Sequence, residues 1–210
     1  MKEYMLENDK RSIKEELNKF MGKEKEVSIL EEEGEILFDI IKKNNLNTTL
    51  EIGCAIGIST LYIMSATNSK HIVIDPYQET EYLNYGINNL KSSGFENKLK
   101  CVYDFSYNAL PQLLKERNKF DLVFIDGSHL FDDAFLDFYF SDLLINDFGF
   151  IVFHDHTFPS VIKVENWIRN NKKCYENIDV TCHNLSVWHK NNFSHPKKIR
   201  FRKWNHYEDF

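Results

Sequence analysis

The chain has 210 residues, 42% hydrophobic and 28% charged, with a formal net charge of -6. This suits one globular domain with a sizeable core and argues against a general nucleic-acid binder, which is normally basic. No apolar run approaches the roughly 20 residues of a bilayer-crossing helix, and the charged N-terminus lacks the apolar stretch of a signal peptide. A cytoplasmic protein without membrane contact is expected.

The first two dozen residues are charged and helix-favouring. Ser28, with Glu31 three residues on, fits a capping box at the start of a clearer helix. Ile29, Leu30, Ile36, Leu37, Ile40 and Ile41 recur at helical spacing and predict a buried stripe. Asn44, Asn45 and Asn47 mark its end, which sets a helical cap over residues 1–45 before a domain over 46–210. Strands and helices then alternate. Strands are expected at Thr48 to Ile52, His71 to Ile74, Leu99 to Tyr103, Asp121 to Ile125 and Phe148 to Phe153. Helices are expected at Gly57 to Ala66, Glu79 to Ser93, Asn108 to Arg117, from Phe131 onward and at Val161 to Asn170. Two polar-edged strands follow, near Ile178 to Cys182 and Leu185 to His189. Lys197, Lys198, Arg200, Arg202 and Lys203 read as a solvated basic tail. The four cysteines, Cys54, Cys101, Cys174 and Cys182, form no C-x-x-C pair, and disulfides are not expected in a reduced cytosol.

This alternation predicts an α/β, Rossmann-like fold: a mostly parallel seven-stranded sheet, helices on both faces, and an antiparallel C-terminal edge hairpin. Ligands of such sheets bind outside the carboxyl ends of the strands. Gly53, Asp75, Asp104, Asp126 and Asp155 stand at those ends. The loop Glu51-Ile52-Gly53-Cys54-Ala55-Ile56-Gly57 reads G-x-x-x-G, where a dinucleotide site would read G-x-G-x-x-G. Gly53 brings a ligand close to the backbone, and Ser59 and Thr60 follow in the first helical turn. Asp75, at the end of the neighbouring strand, is suited to both hydroxyls of a ribose. Loop and carboxylate together favour a nucleoside ligand over a plain turn.

Leu50-Glu51-Ile52-Gly53 with Gly57-Ile58-Ser59-Thr60 resembles motif I of class I S-adenosylmethionine-dependent methyltransferases. Ile74-Asp75-Pro76, Phe124-Ile125-Asp126-Gly127-Ser128-His129 with Asp132-Asp133, Val152-Phe153-His154-Asp155 and Arg202-Lys203-Trp204-Asn205-His206 resemble one bacterial branch, methyltransferase family 24, akin to small-molecule O-methyltransferases. The resemblance implies that Glu51, Gly53 and Gly57 border the methionine part of the cofactor and that Asp75 holds its ribose; Cys54 and Ser59, in and just after the same loop, are further cofactor-binding candidates. It implies that Asp104 and Ser106 lie near the adenine, and that Asp126 and His129 face the sulfonium. Ala55 departs from the pattern. So does His154-Asp155-His156, where relatives carry paired acids or an aromatic.

Methyl transfer to oxygen requires an aligned acceptor and removal of its proton. Two routes are open. In one, a histidine among His129, His154 and His156 is the base. In the other, Asp126, Asp155 and His156 hold Mg²⁺ or another divalent ion that lowers the acceptor pKa; a histidine ligand tilts the choice towards manganese or zinc. Strand alternation turns His154 away from Asp155, which leaves His129, Asp155 and His156 as the catalytic candidates. Phe131, Phe135, Phe138, Tyr139 and Phe140 share one helix, so core packing explains them better than a substrate cage. Trp167, Trp188 and Trp204 read as core or interface residues. The expected reaction is methylation of a hydroxyl on a sugar or phenol. An NAD-dependent oxidoreductase and a non-catalytic nucleoside-binding scaffold are the alternatives. The N-terminal helices are candidates for a cofactor cover, a homodimer contact or a solvated face.

Overall fold

A computed structural model describes residues 2–23 and 28–191. The basic tail, Trp204 and the C-terminal Arg202–His206 match lie outside the described residues. Two helices open the chain, α1 (Lys2–Leu17) and α2 (Glu31–Asn44). Then come β1 (Thr49–Ile52), α3 (Ile58–Ala66), β2 (His71–Ile74), α4 (Tyr85–Ser92), β3 (Leu99–Val102) and α5 (Ser106–Lys115). The second half holds β4 (Phe120–Ile125), α6 (Phe131–Leu144), β5 (Ile145–Phe153), α7 (Pro159–Asn171), β6 (Tyr175–Ile178) and β7 (Ser186–Lys190).

The sheet has seven strands in the order β3-β2-β1-β4-β5-β7-β6. The first five are parallel, and β7 runs antiparallel to both β5 and β6. The expected hairpin is present, with β7 slotted inside and β6 at the edge. Its first strand lies earlier than the sequence suggests. Cys174 and Tyr175 are buried, and the Tyr175 hydroxyl donates to Asp142 at 2.8 Å, so this stretch forms the strand. Residues 179–185 become the connecting loop. Helix α4 also begins late, because Leu83 and Asn84 both take positive φ, 50° and 57°, which a helix does not allow. Strand β5 starts early, with a register shift between Phe120 and Leu122 of its partner and Phe148 at φ 62°.

Two apolar layers flank the sheet. One gathers α5, α6 and α7 around Leu110, Phe138, Trp167 and Trp188. Phe131, Phe135 and Phe140 pack against it, so the aromatic helix is core-facing, apart from Tyr139, which is exposed. The other layer gathers α1, α2 and α3 around Ile13, Phe38, Leu61, Phe124 and Val152. The N-terminal helices thus share their core with the sheet. Leu37, Phe38 and Ile41 are fully buried, each contributing roughly 1.5–3 kcal/mol. Leu30 departs from the expected stripe at 62% exposure. It precedes the helix, whose start is two residues later than a Ser28 cap would give. The Leu30 N–H instead donates to Glu33 Oε2 at 2.6 Å. Helix α2 lies so close to α3 that a Cβ on Gly34 would sit 2.2 Å from the Tyr62 ring. No helix among the described residues is long and apolar enough to cross a membrane.

Candidate active site

The strand order reverses at β1, which lies between β2 and β4. A cleft of about 670 Å³ opens there, outside the carboxyl ends of the strands, where ligands of this architecture bind. Five acids line it, Glu33, Asp75, Asp126, Asp133 and Asp155, and no Lys or Arg does so among the described residues.

The loop after β1 and the acid after β2 form one hydrogen-bonded unit. Gly53 has φ 91°, and a Cβ on it would stand 2.0 Å from the Asp126 carbonyl oxygen. Only glycine satisfies both conditions. Asp75 is 2% exposed. Its Oδ2 accepts the Cys54 and Ala55 N–H groups, both at 3.0 Å, and the Gln78 side-chain amide at 2.8 Å. Its Oδ1 accepts the Tyr77 N–H at 2.8 Å.

Gly53, Cys54, Ser59, Asp75, Ser106, Asp126, His129 and Asp155 border the cleft, while Glu51, Gly57 and Asp104 do not. Glu51 lies beneath the loop, fully buried, and accepts the Ser59 and Thr60 hydroxyls and a hydrogen bond with His71 Nε2. Gly57 caps α3 with φ 89°. Asp104 accepts the N–H of Phe105 and the Asn108 amide at the start of α5.

Across the cleft from the loop stands an acid–histidine cluster. His154 Nδ1 lies 3.0 Å from Asp126 Oδ1 and 3.3 Å from Asp155 Oδ2. His154 Nε2 lies 3.2 Å from Glu33 Oε2 and 3.1 Å from the Asn184 amide nitrogen. His129 Nε2 lies 3.1 Å from the same oxygen, Asp155 Oδ2. The His129 ring stacks on Phe158 at 4.7 Å, and its side chain is 41% exposed to the cleft mouth. Burial opposes charge on His154, yet hydrogen bonds to Asp126 and Glu33 outweigh it and push its pKa up to about 10. Burial pushes Asp126 up, against the hydrogen bond from His154. Burial also opposes ionisation of Glu33, but the hydrogen bonds from His154 and Leu30 hold its pKa below the usual carboxylate value.

The expected ion-ligand set needs correcting at one position. Among the described residues, Asp126, His154 and Asp155 offer ligand atoms within 4.8 Å of one another. His156 stands apart: its Nδ1 pairs with Glu165 on α7 at 3.0 Å, and it borders a different depression. The reason is Asp155, whose φ of 52° breaks the strand alternation. His154 and Asp155 therefore face the cleft together, and His156 turns away. Sequence reasoning also missed Glu33 and Asn184. Glu33 carries a signal, since it lies four residues from both Ile29 and Leu37 on the apolar stripe. Asn184 sits in a turn and has none.

Comparison with known proteins agrees with this fold. Residues 50–156 match the family described as a methyltransferase domain. The chain is 24% identical over 165 residues to a candidate caffeoyl-CoA O-methyltransferase of Arabidopsis thaliana, covering 75% of this chain and 70% of that one. The fold is similar to the O-methyltransferase from Bacillus cereus solved with S-adenosylhomocysteine, with TM-score 0.73, 12% identity and coverage of 86% and 90%. It is also similar to the O-methyltransferase TomG from Streptomyces achromogenes solved with S-adenosylmethionine, with TM-score 0.70, 14% identity and coverage of 80% and 83%. The family match spans just over half of the chain, from β1 to His156. The chain belongs to this methyltransferase-domain family.

Proposed function

We propose that the protein transfers a methyl group from S-adenosylmethionine to a hydroxyl oxygen of a small molecule. The observation that carries this reading is the acid–histidine cluster facing the Gly53 loop across one cleft. The cofactor supplies a methyl group activated on a sulfonium. The cleft suits it in three ways. Its volume falls in the range of about 300–1,000 Å³ typical of small-molecule sites. Asp75 Oδ1 accepts the Tyr77 N–H, and a carboxylate oxygen has a second lone pair to offer a ribose hydroxyl. Tyr77, Phe105 and Tyr107 stand together at the ends of β2 and β3, where an adenine would rest.

The proton of the acceptor hydroxyl goes to His129. Its Nε2–H donates to Asp155, which fixes the ring and leaves Nδ1 as the base. Asp155 stabilises the imidazolium that forms. Asp126, His154 and Asp155 also fit a divalent ion, with mixed oxygen and nitrogen donors; such an ion would lower the acceptor's pKa. The acceptor class favoured here is an uncharged phenol or sugar. A coenzyme A thioester would bring phosphates to a cleft lined with acids.

Titration calorimetry with S-adenosylmethionine and S-adenosylhomocysteine tests the cofactor; absence of binding to either defeats the reading. Activity assays on catechols, sugars and their coenzyme A thioesters test the acceptor, and preference for the thioester would reverse that choice. Turnover unchanged in EDTA would remove the ion. Four free cysteines and the acidic charge support work in the cytoplasm without nucleic acid.

A further inference from the structure

Glu33 is an acid where the stripe of α2 calls for an apolar residue. It is 1% exposed, and a carboxylate buried without partners would be strongly destabilising. Its partners explain its place. Oε2 accepts the Leu30 N–H at 2.6 Å and meets His154 Nε2 at 3.2 Å. The opposite ring nitrogen, Nδ1, faces Asp126 and Asp155 at 3.0 and 3.3 Å. The imidazole is thus gripped at both ends, by α2 on one side and by the strand-end acids on the other. A metal-ligating histidine characteristically donates its far N–H to a carboxylate, which fixes ring and tautomer.

We propose that Glu33 is a positioning residue for His154: it accepts the Nε2–H and so presents Nδ1 to the place between Asp126 and Asp155 where a divalent ion would sit. The inference rests on the ion-assisted form of the reaction above. The partners of Nε2 come from outside β5: Glu33, 121 residues away, and the Asn184 amide nitrogen at 3.1 Å. The Leu30 bond fixes the carboxylate, while Phe38 and the close approach of Gly34 to Tyr62 fix the helix. The N-terminal helix is thereby a structural part of the ion site.

The test is Mn²⁺ titration of the full-length protein, wild type, Glu33→Gln and Glu33→Leu, with S-adenosylhomocysteine affinity measured on the same samples. The visible spectrum of bound Co²⁺ reports nitrogen ligation. Glu33→Leu should weaken Mn²⁺ roughly 10- to 100-fold and alter the Co²⁺ spectrum. Glu33→Gln should lose less, because its amide oxygen still accepts the Nε2–H. Both should bind S-adenosylhomocysteine like wild type. A residue that merely anchors α2 would lower the melting temperature and leave Mn²⁺ affinity and the Co²⁺ spectrum alone, and that result overturns the proposal. If Glu33→Leu does not fold, Glu33→Ala, which likewise offers no acceptor, decides, and an Mn²⁺ affinity equal to wild type overturns it. A wild-type protein that methylates but binds no Mn²⁺ overturns the ion-assisted reading and this inference with it, leaving His129 as the base.

Discussion

Asp155 touches both histidines of the cleft, so its loss should reach every form of the chemistry. Asp155→Ala is expected to abolish turnover while leaving S-adenosylhomocysteine affinity nearly intact, as calorimetry beside a methyl-transfer assay would show. His129→Ala should lower kcat by about 10²- to 10⁴-fold, the usual worth of a general base, with little change in S-adenosylhomocysteine affinity. The pKa of His154 is raised from 6.5 to about 10. Its contribution to stability is therefore fully present below pH 6.5 and is lost as pH rises through 10. Melting curves in EDTA should show wild type losing stability across that window more steeply than His154→Asn. The strand-end acids were legible because Asp75 and Asp126 directly follow apolar strands and Asp155 stands two residues beyond one. The choice of His154 over His156 was not. It turns on one positive φ at Asp155, a conformation that residue type alone does not announce.

Among the elements, the central parallel strands were readable from their short, mostly apolar runs, buried throughout in β1 and β2 and at all but Asp121 in β4. The elements at the periphery were not. β6 depends on which side chain finds a buried partner, as Tyr175 does at Asp142, and the start of α4 on the positive φ of Leu83 and Asn84. Helix α2 offers a packing test. Gly34→Ala would gain about 1 kcal/mol of helix propensity, but its Cβ would meet the Tyr62 ring at 2.2 Å. Overpacking of this kind costs about 1–3 kcal/mol, so the variant should melt lower than wild type. Helix α6 offers a second test. Asp137 is buried, its Oδ1 has no partner among the described residues, and burial pushes its pKa from 3.8 to about 7. A raised acid contributes stability that is present below 3.8 and lost as pH rises through 7. Asp137→Asn has no charge to bury. Its melting temperature should gain on that of wild type as pH rises through that window.

Over the whole molecule, the sheet separates two apolar layers and offers its carboxyl edge to an acid-lined cleft. Composition gave the sign of the net charge but could not locate it, since the acids of the cleft come from α2, α6 and the ends of β2, β4 and β5. That concentration of carboxylates acts on the cofactor as a field. S-adenosylmethionine carries one positive charge more than S-adenosylhomocysteine, and screening weakens attraction between charges. The affinity ratio of the two should therefore shift towards S-adenosylhomocysteine as salt is raised, which paired titrations at low and high ionic strength would reveal. The same field gives turnover a direction. The reactant arrives as a cation and is held; the reaction turns the sulfonium into a neutral sulfide, so the spent cofactor keeps its shape but loses its grip, and the cleft favours exchange for a fresh charge.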